Sequence, residues 1–451
     1  MTLAIPHARV SNAADTRVQL AGPASSTHPA GVPSVAGARL TVPLVDGRHV
    51  QYANLDHAAS APCLDAVREA VDELLPWYAS VHRGAGFASQ VSTKVYERAR
   101  EVVRDFVGAR ATAEVIFTRN TTDALNLLAR AVPAGTSVIV FDTDHHAAIL
   151  PWRGPNVHRV TPTANVEQDL DEALARTPTG PRLVVVTGAA NVTGELWPVA
   201  RLAAVARRHG ARIVLDAAQL APHRPVDITA LDVDYVVLSG HKLYAPFGAG
   251  ALVGRADWLR AANPYLAGGG ATRQVTARAV SWNYGPERHE AGSPNVVGAH
   301  ALAVACRTLR QHWDAVIAHE EALLDRLRTG LAAIPGVRQL SIFGDSAPRV
   351  GVVSFTVEGH DPNLVAAYLS AEHGIGVRDG AFCAHILVRR LTGDRALRAS
   401  LGLGSTAEHV DRLLTALHRL VEQGTTWDYE LVDGRYAPVD DPRELPAFLS
   451  N

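Results

Sequence analysis

The residues of this chain that could do chemistry gather just after short apolar runs. Ser239-Gly240-His241-Lys242 follows one such run and ends on a lysine. Its amine could attack a carbonyl if burial or neighbouring charge lets it lose its proton. Asp216-Ala217-Ala218-Gln219 closes another run with a carboxylate, which in apolar surroundings needs a cationic partner. Asp142-Thr143-Asp144-His145-His146 offers an imidazole able to lie flat on an aromatic ring. Two histidines could also suggest a metal, but adjacent positions rarely converge on one ion and no Cys or Glu is suitably spaced, so no metal site is expected. Ala190-Asn191-Val192-Thr193-Gly194 puts an amide in a loop. Arg119-Asn120-Thr121-Thr122-Asp123 opens a helical stretch with two hydroxyls and free backbone N–H groups, the makings of a phosphate site. Taken alone, Thr121 or Thr122 reads as no more than a helix N-cap.

What must position these groups is a series of βα units. From about Asn54 short β-branched runs alternate with stretches of helical period, the pattern of helices packed around a mostly parallel sheet. Strands are expected at 114–118, 137–141, 182–187, 212–216, 235–239 and 249–254, with interiors that are apolar rather than alternating. One connecting helix reads clearly. Pro198 suits its first turn, Val199, Leu202, Ala203, Val205 and Ala206 form its stripe, and Gly210 stops it. After about Gly285 the rhythm changes. A long helix over 297–334, strands at 338–343 and 350–357, and helices at 362–373 and 407–422 predict a smaller α+β unit. The expected organisation is a disordered extension over 1–45, a large α/β domain over 46–295, a small C-terminal domain over 296–425 and a polar tail over 426–451 that wraps the surface.

Open α/β sheets bind ligands beyond the carboxyl ends of their strands. That rule brings a phosphate cup, a stacking ring, a carboxylate and a lysine to one rim of one sheet. Pyridoxal 5′-phosphate requires that set. Lys242 would carry it as a Schiff base, and Asp216 would keep its ring nitrogen protonated so that the ring can accept electrons from the substrate Cα. The other use of Lys242 would be a surface lysine after a strand.

The same stretches resemble a known family. Leu55-Asp56-His57-Ala58-Ala59-Ser60-Ala61, Val81-His82-Arg83-Gly84, Asn120-Thr121-Thr122, Asp144-His145-His146-Ala147, Asp216-Ala217-Ala218-Gln219, Ser239-Gly240-His241-Lys242 and Gly292-Ser293-Pro294-Asn295 are similar to motifs of the class V aminotransferases, and among them the cysteine desulfurase/selenocysteine lyase group. The resemblance covers about Tyr52 to Val421. It implies a fold type I transferase with a seven-stranded, mainly parallel sheet. By the same resemblance Lys242 is the Schiff-base lysine and proton carrier, His145 stacks on the pyridine, Asp216 faces its nitrogen and Gln219 its phenolic oxygen. Thr121, Thr122, Ser239 and His241 hold the phosphate, and Ser293 reaches the phosphate of a partner subunit, which implies a homodimer with shared active sites. Asn191 lies beside cofactor and substrate, and Arg398 clamps the substrate carboxylate with the bidentate geometry of a guanidinium. Cys383, in Val377-Arg378-Asp379-Gly380-Ala381-Phe382-Cys383-Ala384-His385, is where a desulfurase nucleophile would take sulfur from L-cysteine as a persulfide, leave L-alanine, and pass the sulfur to an acceptor protein. The residues just before it, Ala381 and Phe382, depart from the group's usual polar or histidine residue. Arg378 or His385 would then help the thiol become a thiolate.

The bulk properties remove other classes. A net charge of -2 gives no electrostatic footing for nucleic acid or an anionic membrane. No apolar run reaches the roughly 18–20 residues of a membrane span. Three widely spaced cysteines, Cys63, Cys306 and Cys383, suggest reduced thiols in a cytoplasmic protein. Two readings remain beside the desulfurase: another enzyme of the family (a C–S lyase, aminotransferase or epimerase on a different amino acid) and a binding protein on a degenerate enzyme fold.

Overall fold

The computed structural model describes residues 30–449. Most of the extension expected over 1–45 lies outside the described residues. Within them, order begins well before residue 45. Val32, Val35, Leu44 and Val45 are buried, and Thr41–Pro43 pairs antiparallel with His49–Gln51. Four apolar side chains with a surface to cover outweigh the polar composition around them.

The six expected strands and one more form one seven-stranded sheet: β1 (Glu114–Thr118), β2 (Ser137–Phe141), β3 (Val157–Val160), β4 (Arg182–Thr187), β5 (Arg212–Asp216), β6 (Tyr235–Ser239) and β7 (Gly250–Gly254), in the spatial order β1-β7-β6-β5-β4-β2-β3. β3, with only partial burial and two charged or polar residues in Val-His-Arg-Val, is an edge strand that the sequence pattern did not reveal. β7 runs antiparallel to both β1 and β6, and the remaining pairs are parallel. Every residue of β2, β6 and β7 is buried, which their unbroken apolar runs require. Among the helices, α1 (Thr121–Ala131) leaves the end of β1, capped by the Asn120 side chain, which accepts from the Asp123 amide at 3.0 Å.

A single 38-residue helix, α2 (Val296–Ala333), links the two cores. Its first half packs Ala301, Leu302, Ala305 and Leu309 into the core under the large sheet. Its second half gives Leu323, Leu324, Leu327 and Leu331 to a C-terminal core. That second core includes a four-stranded sheet in the order β8-β9-β11-β10, built from β8 (Val337–Gln339), β9 (Val352–Val357), β10 (Arg378–Gly380) and β11 (Ala396–Ser400). It is covered by α3 (Pro362–His373) and α5 (Ala407–Gln423), while α4 (His385–Thr392) stands between β10 and β11 in the chain. Ala53 and Leu55, from the start of the chain, also pack into this core, and Ala53 pairs with Ile375 in parallel register.

The tail is more than a polar wrap. β12 (Tyr429–Val432) and β13 (Arg435–Pro438) form a hairpin whose two-residue turn, Asp433-Gly434, has φ values of 48° and 77°. An Asp-Gly pair supplies that primed turn geometry. Glu372 on α3 fastens the start of the hairpin, accepting from the backbone N–H of Thr426 and Trp427 and from the Tyr429 hydroxyl at 3.0–3.2 Å.

Candidate active site

The carboxyl ends of the strands and the small sheet enclose one cavity. It is lined by Thr121, Thr122, His145, Asn191, Asp216, Gln219, Ser239, His241, Lys242, Arg378, Cys383 and Arg398, which is every expected site residue but one. Ser293 does not line the cavity; it is exposed in the loop that leads into α2.

The cup at the start of α1 is built across β7. Thr121 donates its backbone N–H to the Ser239 hydroxyl at 2.8 Å, and Ser239 Oγ donates to Thr121 Oγ1 at 2.9 Å. β7 lies between the strands that carry these residues, and Gly250 is in register with both Thr118 and Ser239. A Cβ at Gly250 would meet Leu238 O at 2.5 Å and the Asn120 Cα at 2.8 Å, so the bare backbone is what allows the two strand ends to close. First-turn N–H groups of α1, the Thr122 and Ser239 hydroxyls and His241 line this end of the cavity, an arrangement suited to a phosphate.

Lys242 faces opposing influences. Burial lowers its pKa to about 8, Asp216 acts against that shift, and Arg398 and Arg378 add to it. A substantial neutral fraction near physiological pH follows. Asp216 is itself raised by burial, held in check by the Ala218 N–H on Oδ1 at 2.9 Å and by Lys242. Among the described residues its remaining oxygen has no hydrogen-bond partner, so it can accept from a protonated ring nitrogen. Gln219 donates Nε2 to Ala58 O at 2.6 Å and leaves Oε1 without a partner in a buried setting, a position for a ring hydroxyl. His145 accepts the Ala147 N–H on Nδ1 at 3.0 Å, and burial with the nearby Lys242 charge lowers its pKa to about 3. It is therefore a neutral ring free to stack. These donors, acceptors and ring fit pyridoxal phosphate.

Behind His145, Asp144 is 3% exposed, and neither of its carboxylate oxygens has a partner. Burial, with the charges of Asp216 and Asp142, raises its pKa well above the usual carboxylate range and favours the protonated form. Sequence reasoning gave Asp144 no role of its own.

The substrate side of the cavity comes from the small sheet. Arg398 on β11 is directly paired in register with Arg378 on β10. Arg398 donates to Asp56 and to Asn191 O, both at 3.0 Å, whereas Arg378 has no side-chain partner among the described residues. Two guanidiniums side by side on neighbouring strands repel unless an anion joins them. A substrate carboxylate would do so.

Cys383 is exposed at the mouth of the cavity, on a loop held at three points. Asn191 Nδ2 donates to Phe382 O at 2.7 Å, His146 N donates to Cys383 O at 2.8 Å, and Phe382 is buried with its ring 5.0 Å from the Arg398 guanidinium. Phe382 and Cys383 both have positive φ (50° and 55°), a conformation unfavourable for non-glycine residues that these contacts hold in place. Sequence reasoning treated Phe382 as a departure from a family pattern; in the structure it anchors the loop. His385 sits edge-to-face on His146, with ring centroids 4.5 Å apart.

Residues 53–413 match the family model described as Aminotransferase class-V. The chain is 37% identical over 391 residues to the cysteine desulfurase of Klebsiella pneumoniae (strain 342), an alignment covering 83% of this chain and 94% of that protein. It is 36% identical to a probable cysteine desulfurase of Vibrio cholerae, covering 84% and 95%. Among solved structures, a cysteine desulfurase from Thermococcus onnurineus NA1 superposes with a TM-score of 0.76 at 31% identity, covering 86% of this chain and 98% of that one. A cysteine desulfurase from Escherichia coli gives 0.71 at 31% identity, covering 82% and 95%.

Proposed function

The chain belongs to the class-V aminotransferase family, and on that premise we propose that it is a cysteine desulfurase, converting L-cysteine to L-alanine with the sulfur taken up as a persulfide on Cys383. The observation that carries this reading is a cysteine at the mouth of a cavity whose floor holds Lys242 and whose wall holds the paired Arg378 and Arg398. Relatives that align over most of their length bear the same activity in their names.

Pyridoxal phosphate would be held by Lys242, Asp216, Gln219, His145 and the Thr121–Thr122–Ser239–His241 cup, and when bound it supplies an electron sink for charge developing at the substrate Cα. The protein supplies the rest. Arg398, with Arg378 beside it, binds and orients the substrate carboxylate. Asn191 fixes the Arg398 guanidinium through its carbonyl and the cysteine loop through its amide, so substrate and nucleophile share one support. Lys242 Nζ, whose basicity burial lowers in the cofactor-free protein, would move the Cα proton. The Cys383 sulfur attacks the substrate Sγ; the S–S bond forms as Cβ–Sγ breaks, and the electron pair stays with the carbon skeleton that becomes alanine.

Ser293 would reach the phosphate of a second subunit's cofactor, in a homodimer with shared sites. Exposed Phe87, Val275 and Tyr284 give such a dimer apolar surface to cover. Three cysteines without disulfides among the described residues suit a reducing, cytoplasmic setting. Among the described residues no helix is long and apolar enough to cross a membrane. A sulfur acceptor would then collect the outer sulfur of the persulfide. Ala381 and Phe382 before the cysteine favour one rival, a family reaction on another amino acid without a persulfide.

The test is alanine and sulfide release from L-cysteine by the cofactor-loaded enzyme, wild type against Cys383→Ala. Loss of the nucleophile is expected to cost on the order of 10²-fold or more in turnover. Undiminished turnover by the variant would sink the persulfide mechanism and leave the rival.

A further inference from the structure

Outside the catalytic cavity lies a recess of about 700 Å³. Arg378 lines both spaces, and Gly380, Ala381 and His385, which flank the Cys383 loop, line the recess. Its outer wall is the tip of the β12–β13 hairpin, Asp433-Gly434-Arg435, in a segment beyond the residues 53–413 that match the family model. The hairpin is tied to the active-site strand itself. Tyr436 N donates to Asn363 Oδ1 at 2.6 Å, and Asn363 Nδ2 donates to Asp379 Oδ2 at 3.2 Å, next to Arg378 on β10.

The charges in this recess are unevenly satisfied. Of its four arginines, only Arg395 has an ion pair, with Asp394 at 3.5 Å. Arg378, Arg389 and Arg435 have no side-chain partner among the described residues. On the acidic side, Asp56 is matched by Arg398 from the neighbouring cavity and Asp394 by Arg395, which leaves Asp379 and Asp433. Once the amino-acid product has left Arg378, three unpaired guanidiniums face two uncompensated carboxylates, with hardly an apolar side chain between them. That lining suits a small, strongly hydrated ligand with more negative than positive groups.

From this geometry we infer that the hairpin builds a binding site for the sulfur acceptor, and that the acceptor taken there is a small thiol bearing two or more carboxylates. The inference rests on the desulfurase reading above. Carboxylates held by Arg389 and Arg435 leave the thiol facing the Cys383 loop. The acceptor thiolate attacks the outer sulfur of the Cys383 persulfide; a new S–S bond forms on the acceptor as the Cys383 S–S bond breaks, and the electron pair leaves with the Cys383 sulfur. The exchange regenerates the thiolate and consumes no oxidant or reductant. A recess walled by a hairpin suits a small molecule, whereas a folded partner needs an open face.

The experiment compares mercaptosuccinate with 2-mercaptoethanol as acceptor for the cofactor-loaded enzyme, at an ionic strength of roughly 20 mM so that screening is weak. The doubly reversed variant Arg389→Glu/Arg435→Glu is expected to raise the KM for mercaptosuccinate by about tenfold or more. The KM for 2-mercaptoethanol and the iodoacetamide-trapped Cys383 persulfide formed without acceptor should not change. Arg110→Glu/Arg310→Glu, at two exposed positions outside the recess, makes the same change of net charge and is the control. Equal effects on both thiols, an equal effect of the control, or acceleration only by a folded acidic protein would overturn the inference. Should no alanine form with any thiol, the desulfurase reading fails by itself; calorimetric binding of tricarballylate then reads the recess alone, and an affinity indifferent to the double reversal would remove the site as well.

Discussion

Replacing Gly250 with alanine should loosen the cofactor more than its distance from any ligand-holding side chain suggests. The backbone at Gly250 has no positive φ to demand glycine, so the effect is purely one of space. The added methyl would sit 2.5 Å from Leu238 O, 2.8 Å from the Asn120 Cα and 3.0 Å from the Asn120 carbonyl carbon, all of them backbone. Ordinary contact begins at 3.4 Å, so relief requires a shift of several tenths of an ångström, up to nearly one. No rotamer change can supply it. Either β6 or the turn at Asn120 must move outward, and those two segments carry Ser239 and Thr121, whose 2.8 and 2.9 Å hydrogen bonds close the cup. Overpacking of this kind costs about 1–3 kcal/mol. If the strain is relieved at the cup, most of that is charged to cofactor binding, and the dissociation constant for pyridoxal phosphate rises roughly 5- to 100-fold. The assay is a titration of the cofactor-free protein with pyridoxal phosphate, followed by absorbance, beside thermal melts of the cofactor-free protein. A lowered melting temperature with unchanged cofactor affinity would refute the reasoning, because the sheet would then have yielded elsewhere.

Three other outcomes follow from the same site. Arg398→Lys keeps a charge but cannot reach Asp56, Asn191 O and a substrate carboxylate with one ammonium; KM for L-cysteine should rise about 10- to 100-fold, with kcat changing less, in steady-state assays. Asp144→Asn should stabilise the protein: the buried carboxyl has a raised pKa, so it opposes folding increasingly as pH rises above the ordinary carboxylate range, and denaturant melts should show the variant's advantage growing from pH 4 to 7. Lys242 gives up its proton near pH 8 in the folded, cofactor-free protein but only near its ordinary value of 10.5 when unfolded, so its contribution to stability increases between those pH values; Lys242→Met should flatten that part of the stability profile.

Much of this site was legible because parallel strands are punctual. Apolar runs such as Val-Val-Val and Ile-Val-Leu end where the strand ends, and the open-sheet rule then places Asp216, Ser239 and the loop at Asn191 at one rim. Helix α2 was readable to within a residue because a helix-forming, Ala-rich apolar run passes into an apolar stripe at helical spacing, with no glycine–proline break between them. The failures have physical reasons. β3 alternates weakly and lies at an edge, so no apolar run marks it. Ala53 and Leu55 carry no sign of the core they join, since that core is assembled from residues some 300 positions later. The hairpin at 429–438 did carry a signal, the Asp433-Gly434 turn between Val432 and Arg435, but its flanks are too polar to read as strands without the Glu372 anchor. Phe382 was the least legible: only the fold reveals that an aromatic before Cys383 packs under Arg398 and fixes the loop.

The register of β10 on β11 also explains how the cavity can favour its own reaction. Pairing Arg378 with Arg398 is unfavourable in the empty site, and the two charges together help hold down the pKa of Lys242. A substrate carboxylate bound between the guanidiniums cancels that influence. The Lys242 amine, until then neutral for part of the time and able to react, becomes a stronger base when a Cα proton is at hand to be taken. The same carboxylate relieves the repulsion between the strands, so binding energy gained at one end of the substrate is converted into proton affinity at the other. An amine lacking the carboxylate would gain neither effect. The cost of placing two arginines side by side, offset only in part by the Asp56 carboxylate on Arg398, is therefore part of how the site selects an α-amino acid.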